Sequence, residues 1–179
     1  MPKIILLNGP ARSGKDFAAA HLMDATKDDD PVHLKLSSPL KIMASEILAE
    51  SCEDLEKIKE QTLDFGVSYR DVQIMLFESI AQAFTKSWLG QAMTRKIKKL
   101  DTNTIIVSDA GRDEEIEPLI KAFGARNILI VQIFRDGCSF DNDIRYYITD
   151  PRVKRVTVYN DSTSNFKMKL DAYVLDFLS

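Results

Sequence analysis

Lys3-Ile4-Ile5-Leu6-Leu7-Asn8 runs directly into Gly9-Pro10-Ala11-Arg12-Ser13-Gly14-Lys15-Asp16. The four consecutive apolar residues, stopped by Gly-Pro and not spaced at helical period, predict a short strand buried on both faces, as in a parallel sheet. The next seven residues fit G-x-x-x-x-G-K, in the context the motif needs: a strand before it and a helix after it. Its glycines let successive backbone N–H groups converge on phosphate oxygens, while the helix N-terminus adds partial positive charge and Lys15 a full one. Gly9, Ala11, Arg12, Ser13, Gly14, Lys15 and Asp16 are therefore the predicted nucleotide contacts. Asp16 stands where a Ser or Thr usually offers magnesium its hydroxyl. It is either a hard oxygen ligand for Mg²⁺ or a favourable charge in the first helical turn. Arg12 either grips a phosphate through its guanidinium fork or pairs with an acid elsewhere.

Beyond the loop, Phe17, Ala20, His21 and Ala25 are expected to share one face of a helix that ends in the acidic turn before Pro31. A second short strand is predicted over 32–36, then a helix with Ser38 as cap, Pro39 in first position and an apolar face of Leu40, Met43, Ala44, Ile47 and Leu48. A charged helix over 53–63 and one or two more over 69–100, broken near Gly90, complete a mostly helical middle. Further strands are predicted over 104–108, 127–134 and 155–159, with a helix over 113–123. The last helix, 162–178, should be capped by Ser162 and bury Phe166, Leu170, Tyr173, Val174 and Phe177. Residues 135–151 are polar, arginine-bearing and aperiodic, the length and character of a functional loop, and are the predicted lid. Five strands alternating with helices predict one α/β domain over 1–179, with a mostly parallel five-stranded sheet between helical layers, the P-loop arrangement, and a ligand at the strands' carboxyl ends.

Composition narrows the function classes. With 45% hydrophobic and 28% charged residues among 179, the chain is neither disordered nor low-complexity. A formal charge of -3 does not support a general polyanion-binding surface, so no stable nucleic-acid partner is expected and phosphate affinity must be local. Cys52 and Cys138 lack zinc or disulfide spacing, which fits a reduced cytoplasmic setting. The first apolar run is too short for a signal segment or membrane span. His21, His33, Cys52, Cys138 and Trp88 suggest packing or surface positions, not chemistry.

Ile105-Ile106-Val107-Ser108-Asp109 puts a carboxylate where a strand ends. Asp109 either positions an acceptor or the metal's water shell, or caps the next helix. With the phosphate loop ending Arg12-Ser13-Gly14-Lys15-Asp16, the stretch Leu36-Ser37-Ser38-Pro39-Leu40-Lys41, Tyr69-Arg70, Ser108-Asp109 with Arg112 and Glu115, and Tyr159-Asn160-Asp161, the chain resembles the bacteriophage deoxynucleoside monophosphate kinases nearly end to end. It differs in having Ser-Ser before Pro39, in the three-residue step from Asp109 to Arg112, and in lacking the family's Leu-Gln-x-x-Gly on the central helix.

The resemblance implies a magnesium-dependent enzyme moving the γ-phosphate of ATP to a deoxynucleoside monophosphate in the host cytoplasm, with small-molecule nucleotides as partners and a homodimer as one possible assembly. It assigns acceptor binding to about 38–100, with Ser38, Lys41, Arg70 and Glu78, and to Arg112; the alternative for these residues is solvated surface. Closure of the lid would bring one or both of Arg135 and Arg145 onto the transferring group and exclude water. Asn160 and Asp161 would line the adenine pocket, or form an ordinary Asx turn. Lys15, Asp109, Arg135 and Arg145 are thus the catalytic candidates, and Asp16 and Asp109 the metal candidates. Other readings are a P-loop kinase acting on another hydroxyl, such as a modified DNA base or a small metabolite, and a non-catalytic nucleotide-binding regulator.

Overall fold

The structure, a computed structural model, describes residues 1–141 and 143–179; Asn142 of the predicted lid lies outside the described residues. In chain order the elements are β1 (Lys3–Asn8), α1 (Lys15–Ala25), β2 (Val32–Leu34), α2 (Ser38–Leu48), α3 (Cys52–Lys57), α4 (Tyr69–Ala83), α5 (Trp88–Ile97), β3 (Thr104–Ala110), α6 (Asp113–Phe123), β4 (Ile128–Phe134), β5 (Lys154–Tyr159) and α7 (Ser164–Leu178). The chain divides into two compact units, Met1–Leu36 with Gly90–Ser179, and Ser37–Leu89.

In the first unit the sheet runs β2-β3-β1-β4-β5, and every pairing among the described residues is parallel. The consecutive apolar runs 4–7, 105–107 and 128–131 are fully buried because they form the three inner strands, covered on both faces. At the rim, β5 exposes Lys154 and Arg155, charges that discourage pairing with another chain. α1 and α7 close one face over Ile5, Leu7, Leu129 and Val131, with Leu22, Phe166, Leu170 and Val174 at the centre. Strand order reverses at β1, whose neighbours are β3 and β4, so the carboxyl ends of these three strands flank the crevice where open parallel sheets bind ligands. This is the P-loop three-layer fold expected from the loop and its flanks. Among the described residues, no helix is long and apolar enough to cross a membrane.

Several local expectations are corrected. α1 buries Ala18, Ala19 and Leu22 and leaves Phe17 and Ala20 exposed, because the two alanines let the helix sit close to the sheet. β2 stops at Leu34, since the Leu36 N–H goes to the Asp109 carboxylate instead of the ladder, while β3 runs on to Ala110, opposite Asn8. Thr163, not Ser162, caps α7, accepting from the Asn165 N–H; Ser162 sits at φ 64°. Tyr173 is exposed on that helix.

The second unit is helical, with Ala44, Leu55 and Tyr69 at its core and Leu48, Leu63, Val72 and Leu76 around them. α2 begins at Ser38 itself, Ser37 preceding it without a side-chain cap, and Ile47 lies exposed. α3 is only six residues long, not the predicted eleven, because nucleation is costly and only Leu55 of α3 is buried. α4 starts in a capping box in which the Ser68 hydroxyl accepts from the Asp71 N–H and the Asp71 carboxylate from the Ser68 N–H. The expected break at Gly90 lies earlier, after Ala83, where the Thr85 and Ser87 hydroxyls bond to each other and the Ser87 N–H to Thr85. Gly90 falls inside α5, where a Cβ would stand 2.0 Å from the Glu115 carbonyl oxygen.

Candidate active site

β1 delivers the chain at its carboxyl end into a tight loop. A Cβ on Gly9 would lie 2.7 Å from both the Ile133 carbonyl oxygen and Ser13 Oγ, so only glycine fits. Gly14 has φ 101° and a Cβ there would meet Asn160 Nδ2 at 2.3 Å, while Arg12 takes φ 63°, uncommon for a side-chain-bearing residue. Asn160, after β5, braces the loop: its Nδ2 donates to the Ser13 carbonyl at 2.9 Å and its Oδ1 accepts from the Ser162 N–H. Arg135, after β4, reaches the same loop, donating to the Arg12 carbonyl at 3.3 Å and to Ser162 Oγ at 3.4 Å.

Two polar groups in this cradle are aimed inward. Ser13 Oγ is buried with no hydrogen-bond partner among the described residues, an expense that a bound anion's oxygen would remove. Lys15 rests its ammonium on the Pro10 carbonyl at 2.5 Å. Burial, reinforced by the Arg145 charge and opposed by Asp16, Asp109 and Asp143, lowers the Lys15 pKa to about 8. A cradle of backbone, a buried hydroxyl and a desolvated cation suits phosphate oxygens.

The carboxylates on the β3 side are already engaged. Asp109 lies within β3 and accepts the Leu36 N–H at 2.6 Å, so it does not cap α6; Arg112, which follows, is the residue that precedes α6. Asp16 is exposed and ion-paired with Lys35 at 2.8 Å, and that cation together with Lys15 holds its pKa below the ordinary value against the opposing effect of burial. His33 bonds the Ser108 hydroxyl at 2.8 Å; burial, then the Lys35 charge, lower its pKa. No group of three or more His, Cys, Asp or Glu that could hold a metal exists among the described residues, so Asp16 and Asp109 fit only the sparse protein ligation typical of Mg²⁺ held with phosphates and water.

The predicted lid is tied to the sheet over much of its length. Asn8, fully buried, donates to the carbonyls of Ala110 and Tyr146 and accepts the Ile148 N–H, joining β1, β3 and the lid. Gln132 donates to the Ile148 carbonyl, and Tyr147 stacks on Phe134 with ring centroids 4.1 Å apart. Within this segment Arg145 is mostly buried and gripped by the Asp143 carboxylate through Nε and Nη2. The 136–141 stretch carries mainly local bonds, such as Ser139 to Asp141.

Beside the loop's brace lies an open pocket of about 270 Å³, lined by Arg135, Asp136, Tyr159, Asn160, Asp161 and Ser162. Asp161 accepts from the Thr163 N–H and hydroxyl, an Asx turn that holds its carboxyl below the usual range. Asn160 spends both ends of its amide on the protein, so its place is structural support of the loop as well as pocket wall.

In the helical unit, Lys41 pairs with Glu56 at 3.1 Å and Arg70 with Glu60 at 3.1 Å, while Ser38 opens α2 and Glu78 is exposed on α4. Lys15, Asp16, Asp109, Arg112, Arg135, Arg145, Asn160 and Asp161 belong to the sheet unit, and Ser38, Lys41, Arg70 and Glu78 to the helical one. Sequence reasoning missed Asn8, His33, Lys35 and Asp143. His33 and Lys35 were discoverable, because residues two apart at a strand's carboxyl end lie on one face; Asn8 and Asp143 carry no local signal.

No protein-family model matches the chain and no curated protein matches it. Among solved structures, an unliganded sugar kinase from Janibacter sp. HTCC2649 shares the fold at a TM-score of 0.56 and 11% identity, over 99% of this chain and 95% of that one. A cobyrinic acid a,c-diamide synthase from Mycobacterium smegmatis with bound ADP and magnesium aligns over 98% of this chain and 82% of that one, at 13% identity and a TM-score of 0.44. What is shared with the sugar kinase is the fold.

Proposed function

We propose that this chain is a magnesium-dependent phosphotransferase that moves the γ-phosphoryl group of ATP to a deoxynucleoside monophosphate. The observation that carries the nucleotide half is the Gly9–Lys15 cradle, with the buried hydroxyl of Ser13, which has no partner among the described residues, and the desolvated ammonium of Lys15. The acceptor half rests on the resemblance of the 36–41, 69–70 and 108–115 stretches to the phage kinases.

In this reading the loop's N–H groups and Lys15 bind the β- and γ-phosphate oxygens, and Lys15 turns from the Pro10 carbonyl to do so. Mg²⁺, when bound, spreads the negative charge of the phosphates. Asp16, now paired with Lys35, and Asp109 are the carboxylates that would hold it, directly or through water. Arg145 and Arg135 neutralise charge on the transferring group, and the 135–151 segment excludes water that would otherwise hydrolyse ATP. Tyr159 and its pocket neighbours receive the adenosine side. The resemblance assigns acceptor binding to Arg112 on the sheet unit and to Ser38, Lys41, Arg70 and Glu78 on the helical unit. No side chain need become phosphorylated.

Measuring ADP release from Mg²⁺-ATP against all common deoxy- and ribonucleoside monophosphates, with small hydroxyl compounds as further acceptors, tests the reading. Release that depends on a deoxynucleoside monophosphate supports it. Release only with another hydroxyl would replace the acceptor assignment, and ATP binding without any acceptor-dependent release would favour a regulator.

A further inference from the structure

Glu115 is a carboxylic acid in the interior, 5% exposed, in the first turn of α6. Burial raises its pKa to about 7, with the Asp109 charge adding to the effect and the Gly111 N–H, Arg112 and Arg145 opposing it. Burying such a group is costly, so an apolar residue would serve packing better. Its contacts form a chain. Gly90 of α5 lies against its backbone, too close for any side chain at position 90. Its Oε2 accepts the Gly111 N–H at 3.1 Å. Gly111 in turn has the Cβ, Cγ and Cδ of Arg145 where its own Cβ would be, 2.6 to 2.7 Å away, and its carbonyl accepts the Tyr146 N–H at 2.9 Å. The glycine is thus held on one side by the carboxyl of Glu115 and grips the Arg145 stem and the adjoining backbone on the other.

We infer that Glu115 is a positioning residue: through Gly111 it fixes Arg145 of the lid segment at the site, leaving Asp143 to orient the guanidinium. The consequence for turnover rests on the reading above, in which Arg145 meets the transferring phosphoryl group. A misplacement on the order of 1 Å of such a group costs about a hundredfold in rate.

The test uses the full chain with Glu115→Ala, Glu115→Gln, Gly111→Ala, Arg145→Ala and the double Glu115→Ala/Arg145→Ala. Without any substrate, NMR hydrogen exchange should be about tenfold or more faster at the Gly111 and Tyr146 amides and at Arg145 Nε in Glu115→Ala, with β4 amides unmoved. In Glu115→Gln, whose amide oxygen still accepts the Gly111 N–H, exchange should stay near that of the unaltered chain. In turnover, Glu115→Ala should lower kcat roughly tenfold to a hundredfold with little change in KM for ATP, Glu115→Gln should recover most of it, and Gly111→Ala should reproduce the loss by displacing the Arg145 stem. Because Glu115 acts through Arg145, the double variant should be no slower than Arg145→Ala alone.

Unchanged exchange at Gly111 and Tyr146 in Glu115→Ala, full kcat in Gly111→Ala, or additive losses in the double variant would each overturn the inference. If Glu115→Ala does not fold, Gly111→Ala and Glu115→Gln still decide it. Should exchange respond while the unaltered chain transfers no phosphoryl group to any acceptor, the functional reading falls and the hold of Glu115 on Arg145 stands.

Discussion

The carboxyl ends of the sheet and the helical unit manage charge in different ways. At the sheet, polar groups are locked by partners far away in sequence: Asn160 on the Ser13 carbonyl, Asn8 on Ala110 and Ile148, Asp109 on the Leu36 N–H. In the helical unit, Lys41 and Arg70 lie against acids ten to fifteen residues away, Glu56 and Glu60. The frame of the loop is therefore preorganised, and Lys15, desolvated against a neutral carbonyl, carries a charge whose effect on a phosphate is large. The cations of the helical unit are already neutralised, and an acceptor phosphate would have to take them from carboxylates. Nucleotide binding should thus be robust and acceptor binding weak and adjustable.

The largest expected effect falls on the preorganised side. Lys15→Ala should lower acceptor-dependent ADP release by about a thousandfold while the protein stays folded by circular dichroism, since what is lost is charge positioned at the phosphates and not core. Near-normal turnover would break the comparison at its strongest point.

Next is a stability difference between the regions. Glu115, at about 7, has a folded pKa above its ordinary 4.5, so the native state holds this proton more tightly than the unfolded chain. Its burial costs least below about 4.5, and stability falls as pH rises from there through 7, by about 3 kcal/mol in the limit. Glu115→Gln should remove that slope in urea titrations across this range. Glu60→Gln, at an exposed pair, should change stability by less than about 1 kcal/mol at any pH.

A smaller effect concerns binding. Lys15, lowered to about 8, is about half deprotonated at that pH in the free protein, whereas bound phosphate favours the charged form. Calorimetric affinity for Mg²⁺-ADP should therefore weaken by up to about tenfold per unit well above pH 8 and level off from about one unit below it. The smallest effect is expected from Arg70→Ala, which should raise the acceptor's KM about tenfold and leave that of ATP unchanged. A change in the ATP value instead would place Arg70 with the nucleotide.

The same contrast explains what could be read from the amino-acid order. Strand, loop and helix from Lys3 to Ala25 are local and were legible, as was α6, whose predicted limits hold. The sheet's parallel character followed from the apolar runs of the inner strands. Which residues complete the site was less legible, because the bonds that build it link positions more than a hundred apart, such as Asn8 with Ile148 and Ser13 with Asn160. The short α3 and the early break after Ala83 were missed because hydroxyls and tertiary contacts, not intrinsic propensity, set those ends. Lys41 and Arg70 were visible as cations, but their acids were not, since an ion pair across two elements leaves no spacing rule.

The most direct test follows the γ-phosphoryl group itself, using ATP labelled at that position, magnesium and each deoxynucleoside monophosphate in turn. The label should appear in one or a few deoxynucleoside diphosphates, and Lys15→Ala should make none. Label released only as free phosphate, or retained on ATP with every acceptor, would contradict the proposed transfer.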